Sequence, residues 1–132
     1  MTTLAGRVIY RGAARGTALV SSAPLSFFGG FDLETGVVVE KGHPLEGQCV
    51  AGRILVFPRG TGSTVGSFAL LRLARASLGP AALVMADCDT TVAVGAIIAE
   101  IPCVDRIELG AIAPNATVTV QGAEVTLERA DP

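Results

Sequence analysis

Hydrophobic and polar positions first change their period near residue 63. Before that point short β-rich runs, Arg7 to Tyr10, Thr17 to Ser21, Val37 to Glu40 and Arg53 to Phe57, are separated by glycine-containing segments and predict strands and loops. After it, Val65, Phe68, Ala69, Leu71, Leu73 and Ala76 recur at helical spacing until Leu78-Gly-Pro80, predicting a helix of about four turns. Ala81 to Ala86 is a continuous apolar run of strand length, as expected of a strand buried on both faces. Asp87 to Thr91 reads as a turn and cap, Val92 to Glu100 as a shorter helix, and Ile101 to Val104 as a strand. Ala116 to Val120 and Ala123 to Leu127 alternate around Gln121-Gly122 and predict a closing hairpin.

A single α/β domain, residues 1–132, is the expectation from this length and order. Half of the residues are hydrophobic and 17% are charged. That excess implies a core plus a surface that wants covering, and a partner subunit is the simplest cover. A formal charge of −2 without any cationic run disfavours nucleic acid as a partner. No apolar stretch reaches the roughly 18 residues of a membrane helix. The first residues also lack a signal-peptide pattern, so a soluble, cytoplasmic protein is expected. Cys49, Cys88 and Cys103 are widely spaced, which fits reduced packing residues better than a thiolate metal site.

The chemistry concentrates where the period changes. Arg53-Ile-Leu-Val-Phe-Pro-Arg-Gly-Thr-Gly-Ser63 runs an apolar strand into a glycine turn and then into a helix headed by a hydroxyl. Such a junction gathers unpaired N–H groups at one point, a site for an anion, with Ser63 either capping the helix or acting as a reactive oxygen there. A dinucleotide fingerprint fails because Val65 stands where its third glycine belongs, which leaves Asp87 without the ribose role. No glycine cluster is followed by Lys-Ser or Lys-Thr, excluding a Walker loop. His43, the only histidine, is a candidate partner for Ser63 but reads better as a hydrogen-bonding loop residue. Asp32 with Glu34, and Arg72 with Arg75, read as capping or solvated pairs. The chain has five phenylalanines and one tyrosine, and three of these six aromatics lie in Ser26-Phe-Phe-Gly-Gly30-Phe31-Asp32. An aromatic loop built around a glycine pair suggests a flap over a ligand or partner.

Ala23-Pro-Leu-Ser-Phe-Phe-Gly-Gly-Phe-Asp32, Gly42-His-Pro-Leu45, Gly52-Arg-Ile-Leu-Val56, Gly60-Thr-Gly-Ser-Thr64, Gly66-Ser67 and Gly95-Ala-Ile-Ile-Ala-Glu-Ile-Pro102 occur in an order that resembles the small subunit of the aconitase X family. The resemblance implies a swivelling β/β/α domain like the C-terminal domain of aconitase, closing over a separate large subunit in a heterodimeric hydro-lyase. It implies Ser63 as the catalytic base, and an iron or iron–sulfur centre held by the large subunit, not by this chain. Ser26, Phe27, Gly29, Gly30, Arg59, Gly60, Gly62 and Thr64 are the implied substrate-binding residues. Thr61 replaces an arginine common between the family glycines, leaving Arg59 as the nearest candidate cation. Val65 replaces the arginine of aconitase, which argues against a tricarboxylate.

The expected reaction is dehydration of cis-3-hydroxy-L-proline to a pyrroline carboxylate. Dehydration of 5-phosphomevalonate is the alternative, because a phosphorylated substrate calls for more than one cation near Ser63. A non-catalytic binding module on the same fold, with Ser63 merely capping its helix, is the rival of another class.

Overall fold

Strands β6 (Ile54–Phe57) and β7 (Ala82–Met85) run parallel, Ile54 opposite Ala82 and Phe57 opposite Met85, with every residue of both at zero exposure. Burial on both faces is why their sequences are continuous apolar runs. The computed structural model describes residues 1–128. Its remaining elements are β1 (Thr2–Ala5), β2 (Arg7–Tyr10), β3 (Ala13–Val20), β4 (Phe31–Asp32), β5 (Val37–Val38), β8 (Cys103–Asp105), β9 (Thr117–Gln121), β10 (Glu124–Leu127), and the helices α1 (Gly66–Arg75) and α2 (Thr90–Ala99). Leu109–Ala111 adds one 3-10 turn.

One sheet carries eight strands in the order β1-β10-β9-β3-β6-β7-β8-β2, and β4 pairs only with β5. The long strand β3 joins its two halves. Ala13 to Thr17 pair antiparallel with β9, whereas Ala18 to Val20 pair parallel with β6. The outermost strands, β1 and β2, are consecutive in the chain and separated only by Gly6, whose N–H donates to Ala123 O at 2.9 Å. The sheet therefore returns on itself through its own N-terminal segment.

Alternation along β6, β7 and β8 sorts the core into two clusters. Ile54, Val56, Ala82, Val84 and Val104 meet Ala18, Val118, Val120 and Val125 between the two halves of the sheet. Leu55, Phe57, Leu83, Met85 and Cys103 face the helix layer and the aromatic loop instead. Small and β-branched side chains fill the first space, large ones the second. These layers are the expected β/β/α arrangement. The helices pack closely, with buried Gly95 against α1 and Ser67 Oγ donating to Thr91 O at 2.6 Å.

Several boundaries differ from the sequence reading. β3 starts at Ala13, four residues early, because the ladder with β9 gives this less apolar stretch its backbone partners. The run from Val37 to Glu40 keeps only two paired residues. The N-terminal strand β1 carries no period-2 pattern that would have declared it. Helix α1 ends at Arg75, before Leu78-Gly-Pro80, and is closed by Ser77 in a left-handed conformation (φ 60°) with Leu78 N–H bonded to Leu73 O at 2.9 Å.

Asp105 lies fully buried at the end of β8 and takes a two-point contact from Arg7 on β2, at 3.0 and 2.7 Å. Burial pushes its carboxyl up, but the Arg7 hydrogen bonds, the Cys88 N–H and the charges of Arg7 and Arg106 outweigh it and hold the acid below its usual value. A depressed folded pKa stabilises the fold above the ordinary carboxylate range, and that stability is lost as pH falls through the depressed value. Thermal midpoints measured against pH should therefore be lower for Asp105→Asn than for the native chain at pH 7. The two curves should converge only when pH falls below that depressed value, beneath the ordinary carboxylate range.

Candidate active site

The carboxyl ends of β3, β6 and β7 send their loops to one place, the usual position for a site on parallel strands. Direct backbone bonds join them. Leu25 N–H donates to Arg59 O at 3.1 Å, Thr61 N–H to Leu25 O at 2.9 Å, and Asp87 N–H to Pro58 O at 3.1 Å. From the third loop the Asp89 carboxylate accepts the Gly60 N–H at 2.7 Å.

Both glycines of the turn are required here. Gly62 has φ 94°, and a Cβ on it would lie 2.6 Å from Ser26 Oγ. A Cβ on Gly60 would lie 2.5 Å from Val92 Cγ2. The turn thus passes flush between the Ser26 loop and the start of α2, and it carries Ser63 out of the protein.

Ser63 is exposed, as are Thr61, Gly62, Thr64 and Val65. Its Oγ accepts the Val65 N–H at 3.2 Å, bracing a two-residue turn. It is not the helix cap that the sequence suggested. Helix α1 starts at Gly66, and Val65 in the cap position makes no side-chain bond. The left-handed Gly62 and the turn at Thr64-Val65 delay the helix by a few residues. Among the described residues, the N–H groups of Gly62, Ser63 and Thr64 have no protein acceptor. They flank the hydroxyl as donors open to an anion.

Ser26, Arg59, Gly60, Gly62, Ser63 and Thr64 are brought together here. Phe27 is not a lining residue. Its ring is buried at 3% exposure, stacked on Phe31 with centroids 4.9 Å apart and edge-on to Phe57 at 6.0 Å. Two of the three loop aromatics are thus core residues that hold the loop down. Only Phe28 faces outward. Gly29 sits at the open tip, while Gly30 is buried under the Ser26 carbonyl. Ser26 Oγ donates to Phe28 O at 2.7 Å, which fixes the loop beside Gly62.

His43 does not pair with Ser63. Its Nδ1 accepts the Leu45 N–H at 3.0 Å, so Nε2 carries the proton donated to Pro24 O at 2.9 Å. Both ring nitrogens are spent on loop structure. Asp32 accepts the Glu34 N–H at 2.9 Å, a turn contact. The three cysteines are free. A hydrogen bond with Cys88, with burial second, pushes the Cys103 thiol up, as suits an inert packing residue. A concavity of 490 Å³ lies apart from this site, beside β1 and β10, and Glu128, which lines it, is paired with Arg15 at 3.0 Å.

Two features of the site escaped the sequence. Asp89 reads only as part of a cap, because nothing in the chain signals its bond to Gly60. Phe28, Val65 and Phe68, at 53%, 47% and 66% exposure, line an apolar groove of 200 Å³ with Leu33, Ala69 and Arg72, at the foot of the Ser63 turn. The helical spacing of Val65 and Phe68 was visible, but it reads equally as a buried face.

A family model described as the aconitase X swivel domain matches residues 3–129. The chain belongs to the aconitase X swivel-domain family. Over 127 residues it is 46% identical to the phosphomevalonate dehydratase small subunit of Thermococcus sibiricus, covering 95% of this chain and 98% of the relative. It is 47% identical over 126 residues to the protein of that name from Methanocella arvoryzae, covering 93% and 96%. The crystal structure of Thermococcus kodakaraensis aconitase X, holo-form, superposes with a TM-score of 0.96 at 42% identity, covering 98% of this chain and all of that one. The α/β swivel-domain fold implied by the sequence blocks is therefore the observed fold. No helix among the described residues is long and apolar enough to cross a membrane.

Proposed function

We propose that this chain supplies the Ser63 wall of a two-subunit hydro-lyase that dehydrates 5-phosphomevalonate. The chain is a small subunit of an aconitase X type dehydratase, and the substrate reading is carried by the name of relatives that match it over nearly its whole length. Dehydration of cis-3-hydroxy-L-proline, the reaction expected from the sequence, finds no support in the names of those relatives.

Both candidate substrates pose the same chemical task. A proton leaves the carbon α to a carboxylate, a double bond forms to the β carbon, and the β-hydroxyl departs as water. Ser63 Oγ is the group to take that proton. A serine oxygen is a poor base in water, so this role needs solvent excluded and negative charge favoured. The open N–H groups of Gly62, Ser63 and Thr64 and the start of α1 favour an oxyanion. Exclusion of water needs a cover, since the turn is exposed in this chain. The apolar groove of Phe28, Val65 and Phe68 adjoins the turn and offers the large subunit a place to seat.

Among the described residues, no three His, Cys, Asp or Glu side chains gather to hold a metal ion. The described residues therefore do not fit an iron centre. An iron or iron–sulfur centre is assigned to the large subunit. For the phosphate, Arg59 and the open N–H groups are the donors this chain offers, and further cations must come from the partner.

Reconstitution with the large subunit, assayed on both compounds, tests the reading. The complex should release water from 5-phosphomevalonate, and this chain alone should turn over neither compound. Turnover of cis-3-hydroxy-L-proline alone would reverse the substrate assignment. Robust activity of the isolated chain would refute the need for a partner.

A further inference from the structure

We infer that Asp89 is a positioning residue that sets the place of Ser63 during turnover, an inference that rests on Ser63 being the base. Its carboxylate does two things at once. Oδ2 accepts the Val92 N–H at 3.2 Å and caps α2, and Oδ1 accepts the Gly60 N–H at 2.7 Å. The second bond reaches across 29 positions to the turn that carries Ser63.

At the base of that turn three successive groups are fixed. The Arg59 carbonyl and the Thr61 N–H bond to Leu25 on one side, and the Gly60 N–H bonds to Asp89 on the other. The next three N–H groups, of Gly62, Ser63 and Thr64, lack protein acceptors among the described residues. The hydroxyl therefore stands three residues beyond its last side-chain anchor, and a tilt at Gly60 is passed on to it. Gly60 is buried and fits against Val92 and Asp89 without room for a Cβ, so the anchor has little slack. Asp89 is itself held, because the preceding Cys88 N–H donates to buried Asp105 at 2.9 Å. With both oxygens bonded to backbone donors, Asp89 supports the base without touching the reacting carbon.

Asn and Ser cap helices about as well as Asp, but neither offers two separate acceptor oxygens. Asp89→Asn and Asp89→Ser should therefore keep the α2 cap and subunit association, and lower the thermal midpoint only by the few degrees that an unpaired Gly60 N–H costs. In the assembled enzyme acting on 5-phosphomevalonate, kcat should fall about 100-fold with little change in KM, the scale of a displacement near 1 Å. Asp89→Asn added to Ser63→Ala should lower the residual rate no further. Native kcat in Asp89→Asn beside an inactive Ser63→Ala would overturn the positioning role. So would a fall that tracks lost stability or lost assembly, which is all a simple cap predicts. Turnover surviving in Ser63→Ala would overturn the base assignment, and the positioning role with it.

Discussion

Ser63→Ala in the assembled enzyme is expected to lower kcat by about 1,000-fold, within the range for loss of a general base. Association with the large subunit should be unaffected. The substitution removes one oxygen from an exposed side chain whose single hydrogen bond among the described residues is the 3.2 Å contact from Val65 N–H. Loss of a contact of this kind costs about 1 kcal/mol, which a stable domain absorbs. Steady-state kinetics on complexes verified by size exclusion separate the two roles. A rate near normal would leave Ser63 with only its turn-bracing contact, as in a non-catalytic module.

Phe68→Glu should instead spare the fold and dissociate the subunits. Phe68 is the most exposed large apolar residue after Met1, at 66%, and its neighbours Phe28 and Val65 extend the patch to the foot of the Ser63 turn. Truncating or charging a buried interface aromatic costs about 2–4 kcal/mol, so affinity should weaken by about 30-fold or more. The new carboxylate lies four residues before Arg72, a favourable helical pairing, so the isolated chain should melt at its native midpoint. Titration calorimetry or sedimentation of the two subunits reads the effect. Unchanged affinity would move the docking surface elsewhere, for instance to Val94, Ile97 and Ile98 on α2, which are also exposed.

Elements whose local pattern agrees with their burial were legible in the sequence. β6 and β7 declared themselves as continuous apolar runs, and the β9–β10 hairpin by alternation around Gln121-Gly122. What the sequence concealed depends on contacts across long separations. β1 is a strand because β10 pairs with it, and β3 starts early because β9 covers it. The same holds for the site. The glycine turn and Ser63 were visible from residue type and order, and so was the family to which those blocks belong. The burial of Phe27 was hidden, since the glycine pair beside it favours a flap over a core plug, and only the rings of Phe31 and Phe57 packed against it show otherwise. The bond from Asp89 to Gly60 joins two turns with no shared pattern.

The closure of the sheet through Gly6 also carries a kinetic consequence. Thr2 is paired with Leu127, so β1 has no partner until β10, the last strand in chain order among the described residues, has been made. The parallel centre can assemble earlier, but every contact of β1 waits for the final hairpin, and contacts so distant in sequence form slowly. During that interval β1 is an unpaired strand, the kind of surface that invites pairing with another chain. The strand that precedes all the others of this sheet in chain order is the one that locks last, and removing it would leave the β10 edge open permanently.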